Sequence, residues 1–221
     1  MRTLWTSLVS ADETAEGTEL KLLVPEHIGD QIRRRKIDQV EIGYDDGRSI
    51  SPAQRRKIYA TLRDISNHTG YDPESAKQVM KIEHMERTGE TKWFSLSDCS
   101  MTTAREFINT LMDYALREGI ILTDRGLQRT DDIDMYLIQC IVYRRCCICG
   151  RAADIHHVDA IGMGNDRRRV DDGGYQVMAL CREHHMAAHT MGRERFMGMY
   201  AVYGVERWRA EGYGKKQGAL Q

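Results

Sequence analysis

Three stretches decide how this chain folds: Cys146-Cys147-Ile148-Cys149-Gly150, Ile155-His156-His157-Val158, and Ala179-Leu180-Cys181-Arg182-Glu183-His184-His185-Met186-Ala187-Ala188-His189. Cys146-x2-Cys149 places two thiols on a tight turn, with Gly150 letting the backbone curl. Cys181-x2-His184 supplies two more ligands at the same spacing, 32 residues after Cys149. Together Cys146, Cys149, Cys181 and His184 form a Cys3His set, the donor set of a closed structural Zn2+ site. Cys147 is a spare thiol that could replace either neighbour. Cys99 and Cys140 stand apart in helical, partly apolar segments and read as buried free thiols.

A structural zinc site does not need the remaining histidines. His156 and His157 lie in an apolar stretch that reads as a strand, and adjacent strand residues point to opposite faces. They cannot easily share one job. His185 and His189 stand at i, i+4 on a helix and share a face, which suits them to grip one metal ion. With His156 from the strand they make a three-histidine site with open positions for water and a phosphate. By ligand softness three imidazoles favour zinc, nickel or another transition ion.

In type, order and spacing these elements resemble the HNH endonuclease motif, the ββα-metal fold supported by a zinc knuckle, over about residues 144–192. By position, the resemblance implies that His157 is the general base and that His156, His185 and His189 hold the catalytic metal. It also implies Mg2+ or Mn2+ as that metal, and phosphodiester cleavage to 5′-phosphate and 3′-hydroxyl ends. The family's middle Asn braces the loop holding the base. Here Gln176 takes its place, one methylene longer.

The chain has 221 residues with 32 basic and 33 acidic side chains, a formal charge of -1. That composition suits a globular protein and offers no apolar run long enough to cross a membrane. The first residues, MRTLWTSLVSADETAEG, lack the pattern of a secretory leader, so a cytoplasmic location is expected. The neutral total hides a division: residues 144–221 carry +4 and the remainder -5. The basic part also holds most of the cysteines and histidines, so charge does not count against a DNA partner. Within it, Ile161-Gly162-Met163-Gly164-Asn165-Asp166-Arg167-Arg168-Arg169 reads as a phosphate-contacting loop.

Upstream, residues 3–9, 19–24 and 38–43 read as strands of a small sheet. Arg33-Arg34-Arg35-Lys36 reads equally as a solvated helix face or a nucleic-acid contact. Helices are expected from Ser51-Pro52 to Gly70, from Asp72-Pro73 with Ala76, Val79, Met80 and Ile82 inward, from Ser100 to Arg117, and from about Asp131 to Arg145. A helix closing the chain is expected around Phe196, Tyr200 and Tyr203, its aromatics packing inward. Ser51-Pro52-Ala53-Gln54-Arg55-Arg56-Lys57, together with Ser97-x2-Ser100-Met101-Thr102 before the third helix, resembles the NinB family of phage recombination mediators. Those proteins bind single-stranded DNA. The combination is also similar to HNH nucleases encoded by phages and prophages.

The expectation is an α+β protein: a NinB-like DNA-binding domain at 1–130 and an HNH nuclease domain at 131–221, with the boundary in Thr123–Thr130. The expected function is a metal-dependent DNA endonuclease of phage or prophage recombination or replication, acting in the host cytoplasm. Arg55, Arg56, Lys57, Arg167, Arg168 and Arg169 are the DNA-contact candidates. Single-stranded or branched DNA, host recombination proteins and a homodimer are the expected partners. The rival readings are a non-catalytic zinc-stabilised single-stranded-DNA-binding mediator and an RNA-directed nuclease. His156, His157, His185 and His189 argue against the mediator, which would not need them.

Overall fold

The computed structural model describes residues 6–40, 42, 47–158 and 174–218. The expected contact loop with Arg167, Arg168 and Arg169 lies outside them. Contacts divide the chain into two compact units, Met1–Tyr44 and Asp45–Gln221, and the whole is α+β. No described helix is long and apolar enough to cross a membrane.

The first unit is an antiparallel hairpin, β1 (Ser7–Thr14) and β2 (Gly17–Leu23), followed by helix α1 (Gly29–Arg35). Gly17 closes the hairpin turn at φ +143°, a backbone conformation that L side chains rarely adopt. A bulge between Leu8 and Ser10 shifts the register. Among the described residues the first strand extends to Thr14, beyond the 3–9 expected from alternation. Of the expected third strand, the described residues 38–40 and 42 have no strand assignment. Val40 there is 75% exposed, so no apolar face drives pairing. The Arg33–Arg35 run occupies the last turn of α1, where cations complement the helix dipole.

The second unit opens with helices α2 (Pro52–Thr69), α3 (Pro73–Thr88), α4 (Met101–Glu118), α5 (Gly126–Arg129) and α6 (Ile133–Val142). Each of the first three begins on a capping side chain, Ser51, Asp72 or Ser100, that accepts backbone N–H bonds. Each ends on a left-handed glycine, Gly70, Gly89 or Gly119. Strands β3 (Asp154–His157) and β4 (Gln176–Leu180) follow, then α7 (Arg182–Met191), α8 (Arg193–Tyr200), β5 (Val205–Glu206) and α9 (Arg207–Gly218). The three strands form an antiparallel sheet of order β3-β4-β5.

One apolar core runs from Ile58, Leu62 and Leu111 through Tyr136 and Leu137 to Val177, Leu180 and Phe196. Thr123–Thr130 is stitched into this unit. Thr123 donates its backbone N–H to the Asp64 carboxylate at 3.2 Å, and Arg129 Nη2 lies 3.4 Å from the same group. On α3 the inward face differs from expectation: Val79 and Ile82 are 41% and 50% exposed. Ala76 and Met80 are buried as expected, and Lys81 and His84 are buried with them. The 76-80-84 line is an i, i+4 ridge with Lys81 beside it, and the two polar side chains find partners inside. Lys81 Nζ donates to the Phe94 carbonyl at 2.7 Å, and His84 Nδ1 lies 2.8 Å from Thr110 Oγ1. Burial, helped by Arg87, pulls His84 down to about 4, so it is neutral.

Asp113 on α4 is fully buried and joins elements far apart in sequence. Arg87 on α3 pairs with it, and the hydroxyls of Tyr143 and of Tyr213 on α9 donate to it at 2.9 and 2.5 Å. Removing one partner of a buried ion pair costs about 3–5 kcal/mol, because the other charge is left uncompensated. Asp113→Ala should lower the stability of the second unit by that amount in urea unfolding. A loss below 1 kcal/mol would be the value of an exposed pair.

Candidate metal centres

The CxxC turn is built by the backbone. Gly150 N–H donates to the Cys146 carbonyl at 2.8 Å and Cys146 N–H to the Arg151 carbonyl at 2.7 Å. Gly150 takes φ +72° to make this possible. Cys147 N–H donates to the Ala179 carbonyl at 3.0 Å, tying the turn to β4. At the far end of β4, Cys181 is the N-cap residue of α7, so His184 lies one turn on and faces the same point.

The ligand atoms of Cys146, Cys149, Cys181 and His184 all lie within 4.8 Å of one another. Two sulfurs each about 2.3 Å from a tetrahedral ion lie about 3.7 Å apart, and a sulfur and an imidazole nitrogen about 3.5 Å. Here Cys149 Sγ and Cys181 Sγ are 3.7 Å apart, and Cys146 Sγ and His184 Nδ1 3.5 Å. Cys181 Sγ is 3.2 Å from the same nitrogen. The set fits a zinc ion in donor type and in spacing. Cys147, the spare thiol, is buried outside the cluster and has its own environment, with Tyr136 donating to its carbonyl at 3.1 Å. Burial pushes the Cys146 thiol up to about 12. Burial raises Cys149 too, but hydrogen bonds from Arg151 outweigh it and leave the thiol below its ordinary value.

A second cluster joins the same helix to β3. His156, His185 and His189 present ring nitrogens within 4.8 Å of one another. The His156 ring centroid lies 4.6 Å from that of His185 and 5.0 Å from that of His189. Successive helix residues point about 100° apart at 3.6 residues per turn, so adjacent His184 and His185 serve different clusters. Burial and the two neighbouring imidazoles hold His156 down to about 4, and burial lowers His185 as well. At neutral pH both offer free lone pairs, and three imidazole nitrogens suit a divalent transition ion.

On β3, His156 pairs with Met178 and His157 with Val177, and strand alternation turns the two to opposite faces. His157 is half-buried. Gln176 is exposed at the start of β4, and its carbonyl accepts from Val158 N–H at 2.9 Å. A Cβ on Gly204 would come within 2.8 Å of Gln176 Cβ and Val158 Cγ2, and 3.2 Å of Gln176 Oε1. The Gln176 side chain thus lies over Gly204, beside the residue that follows His157.

A family profile described as "Putative HNHc nuclease" matches residues 25–208. The chain belongs to this nuclease family. No curated protein and no solved structure matches it.

Of the residues expected to contact DNA, Arg55, Arg56 and Lys57 are described, on α2. Arg55 donates Nη2 to the Ser97 carbonyl at 2.9 Å. Lys57 Nζ reaches the Thr130 carbonyl at 2.6 Å and Asp131 at 2.5 Å. Of the triplet Arg55-Arg56-Lys57, Arg56 is the exposed member. Three consecutive helical residues fan around the axis at about 100° per step, so their side chains leave the helix in different directions. Sequence reading missed β5 and the Gly204 contact. The glycine in Tyr203-Gly204-Val205 is the one signal that backbone and side chain approach closely there.

Proposed function

We propose that the chain is a metal-dependent DNA endonuclease whose β3-β4-α7 segment is a ββα-metal unit, cleaving phosphodiesters to 5′-phosphate and 3′-hydroxyl ends. The observation that carries this reading is the three-histidine cluster, which a zinc-stabilised binding module would not need. His156, His185 and His189 would hold a divalent ion, which would supply Lewis-acid stabilisation of the charge that develops in phosphodiester cleavage. The resemblance implies Mg2+ or Mn2+, and three imidazoles favour softer ions such as Ni2+ or Zn2+.

The protein's own residues do the rest. A ring nitrogen of His157 accepts the proton of the attacking water. His157 reaches that water from the strand face opposite His156, so base and ligand do not compete. Gln176, packed over Gly204, braces the end of β3 in place of the family's Asn. Cys146, Cys149, Cys181 and His184 hold structural zinc that fixes the start of α7, and with it His185 and His189. The segment before residue 130 is assigned to DNA handling, with Arg56 as the exposed member of its basic triplet. Arg167, Arg168 and Arg169 are assigned to the phosphate backbone. A role in phage recombination or replication in the host cytoplasm, on single-stranded or branched DNA, completes the reading.

Purified protein incubated with plasmid, single-stranded and branched DNA should cleave when Mn2+ is added and stop when EDTA is added. Cleavage of none of these with Mg2+, Mn2+, Ni2+ or Zn2+ would contradict the proposal. Cleavage of RNA alone would move the substrate class and leave the chemistry in place.

A further inference from the structure

Three thiolates around a zinc dication leave a Cys3His centre with one net negative charge. In this chain one side chain lies where it can offset that charge. Arg151 donates from Nε to Cys149 Sγ at 3.3 Å, and its Nη2 lies 2.5 Å from Glu183 Oε2. Glu183 sits between the ligands Cys181 and His184 in the first turn of α7. The Arg151 carbonyl also accepts the Cys146 N–H at 2.7 Å. One residue therefore contacts both cysteines of the turn and reaches across to the helix that carries the other two ligands. Cys149 is the half-buried ligand of the turn, while Cys146 and Cys181 are buried, so the guanidinium covers the side open to solvent.

We propose that Arg151 is the charge partner of the Cys3His centre: its guanidinium offsets the centre's negative charge, ties the CxxC turn to α7, and slows zinc release. The proposal rests on reading that cluster as a zinc site. Partners just outside a metal's ligands change affinity by about 10–100-fold. Arg151 and Glu183 are 56% and 70% exposed, so solvent screens the pair and the low end applies.

The test measures zinc transfer from the full-length protein, as purified, to pyridylazoresorcinol. Arg151→Gln should release zinc about tenfold faster than the wild type. Arg151→Lys, which keeps the charge and loses the fork, should fall between them. Glu183→Gln, which removes the tie to α7 and keeps the cation on Cys149, should change the rate less than Arg151→Gln. Molar salt should speed release from the wild type and leave Arg151→Gln nearly unchanged, because the ion interaction it screens is already gone. A merely structural role would not produce that salt difference. Wild-type release rates in Arg151→Gln would overturn the proposal, as would equal rates in Arg151→Gln and Arg151→Lys. Purified wild-type protein containing no zinc would instead overturn the reading of the cluster itself.

Discussion

His157→Ala is expected to reduce DNA cleavage by about 10²–10⁴-fold while the protein keeps its fold and its zinc. That range corresponds to about 3–5 kcal/mol of lost transition-state stabilisation. The size follows from what the imidazole does. Without it at that position, water must give its proton to bulk solvent. The side chain's placement keeps the comparison clean. His157 is half-buried on the strand face opposite His156, so its removal leaves His156, His185 and His189 intact. His157→Gln, which fills the space without a basic nitrogen, should be as inactive as alanine. Comparing initial nicking rates of supercoiled plasmid at saturating Mn2+ gives the number. Equal rates in wild type and both variants would remove His157 from the mechanism.

Cys149→Ala is expected to unfold the whole second unit and not merely the turn. Structural zinc contributes about 10–16 kcal/mol in small zinc-dependent peptides. Whole domains are stable by only about 5–15 kcal/mol. Cys146 and Cys181 belong to the same apolar core as Leu111, Tyr136 and Leu180. The turn also hangs on β4 through Cys147 N–H and on α6 through the Tyr136 hydroxyl. Loss of zinc therefore frees groups inside the core shared by α2, α4 and α6. Circular dichroism should show loss of the cooperative thermal transition, and prolonged chelation of the wild type should reproduce it. A soluble Cys149→Ala with an unchanged melting temperature would show that the metal does not hold this core.

Much of this arrangement was legible in the sequence because local chemistry dictated it. The Ser51-Pro52 and Asp72-Pro73 starts became capped helices, and the Cys-x2-Cys and Cys-x2-His spacings came together as one cluster. The i, i+4 pair His185 and His189 met His156 because two periods, 3.6 on α7 and 2 on β3, aim them at one point. What was not legible depended on long-range partners. Val79 and Ile82 scored as core by hydropathy, but the inward ridge of α3 holds Lys81 and His84, bonded to Phe94 and Thr110. Arg55 and Lys57 read as DNA-contact candidates by charge, and their bonds to Ser97, Thr130 and Asp131, far along the chain, had no signal in the sequence. Two-residue β5 is too short for any alternation to signal it, although it completes the sheet behind Gln176.

The central claim is that α7 feeds two metal clusters with separate duties, one structural and one catalytic. The most direct measurement compares zinc content and Mn2+-dependent plasmid nicking for wild type, His185→Ala and His189→Ala. Both variants should keep the zinc of the Cys3His site and the wild-type melting temperature while nicking is lost. Variants that nick at the wild-type rate, or that lose their fold along with their activity, would contradict it.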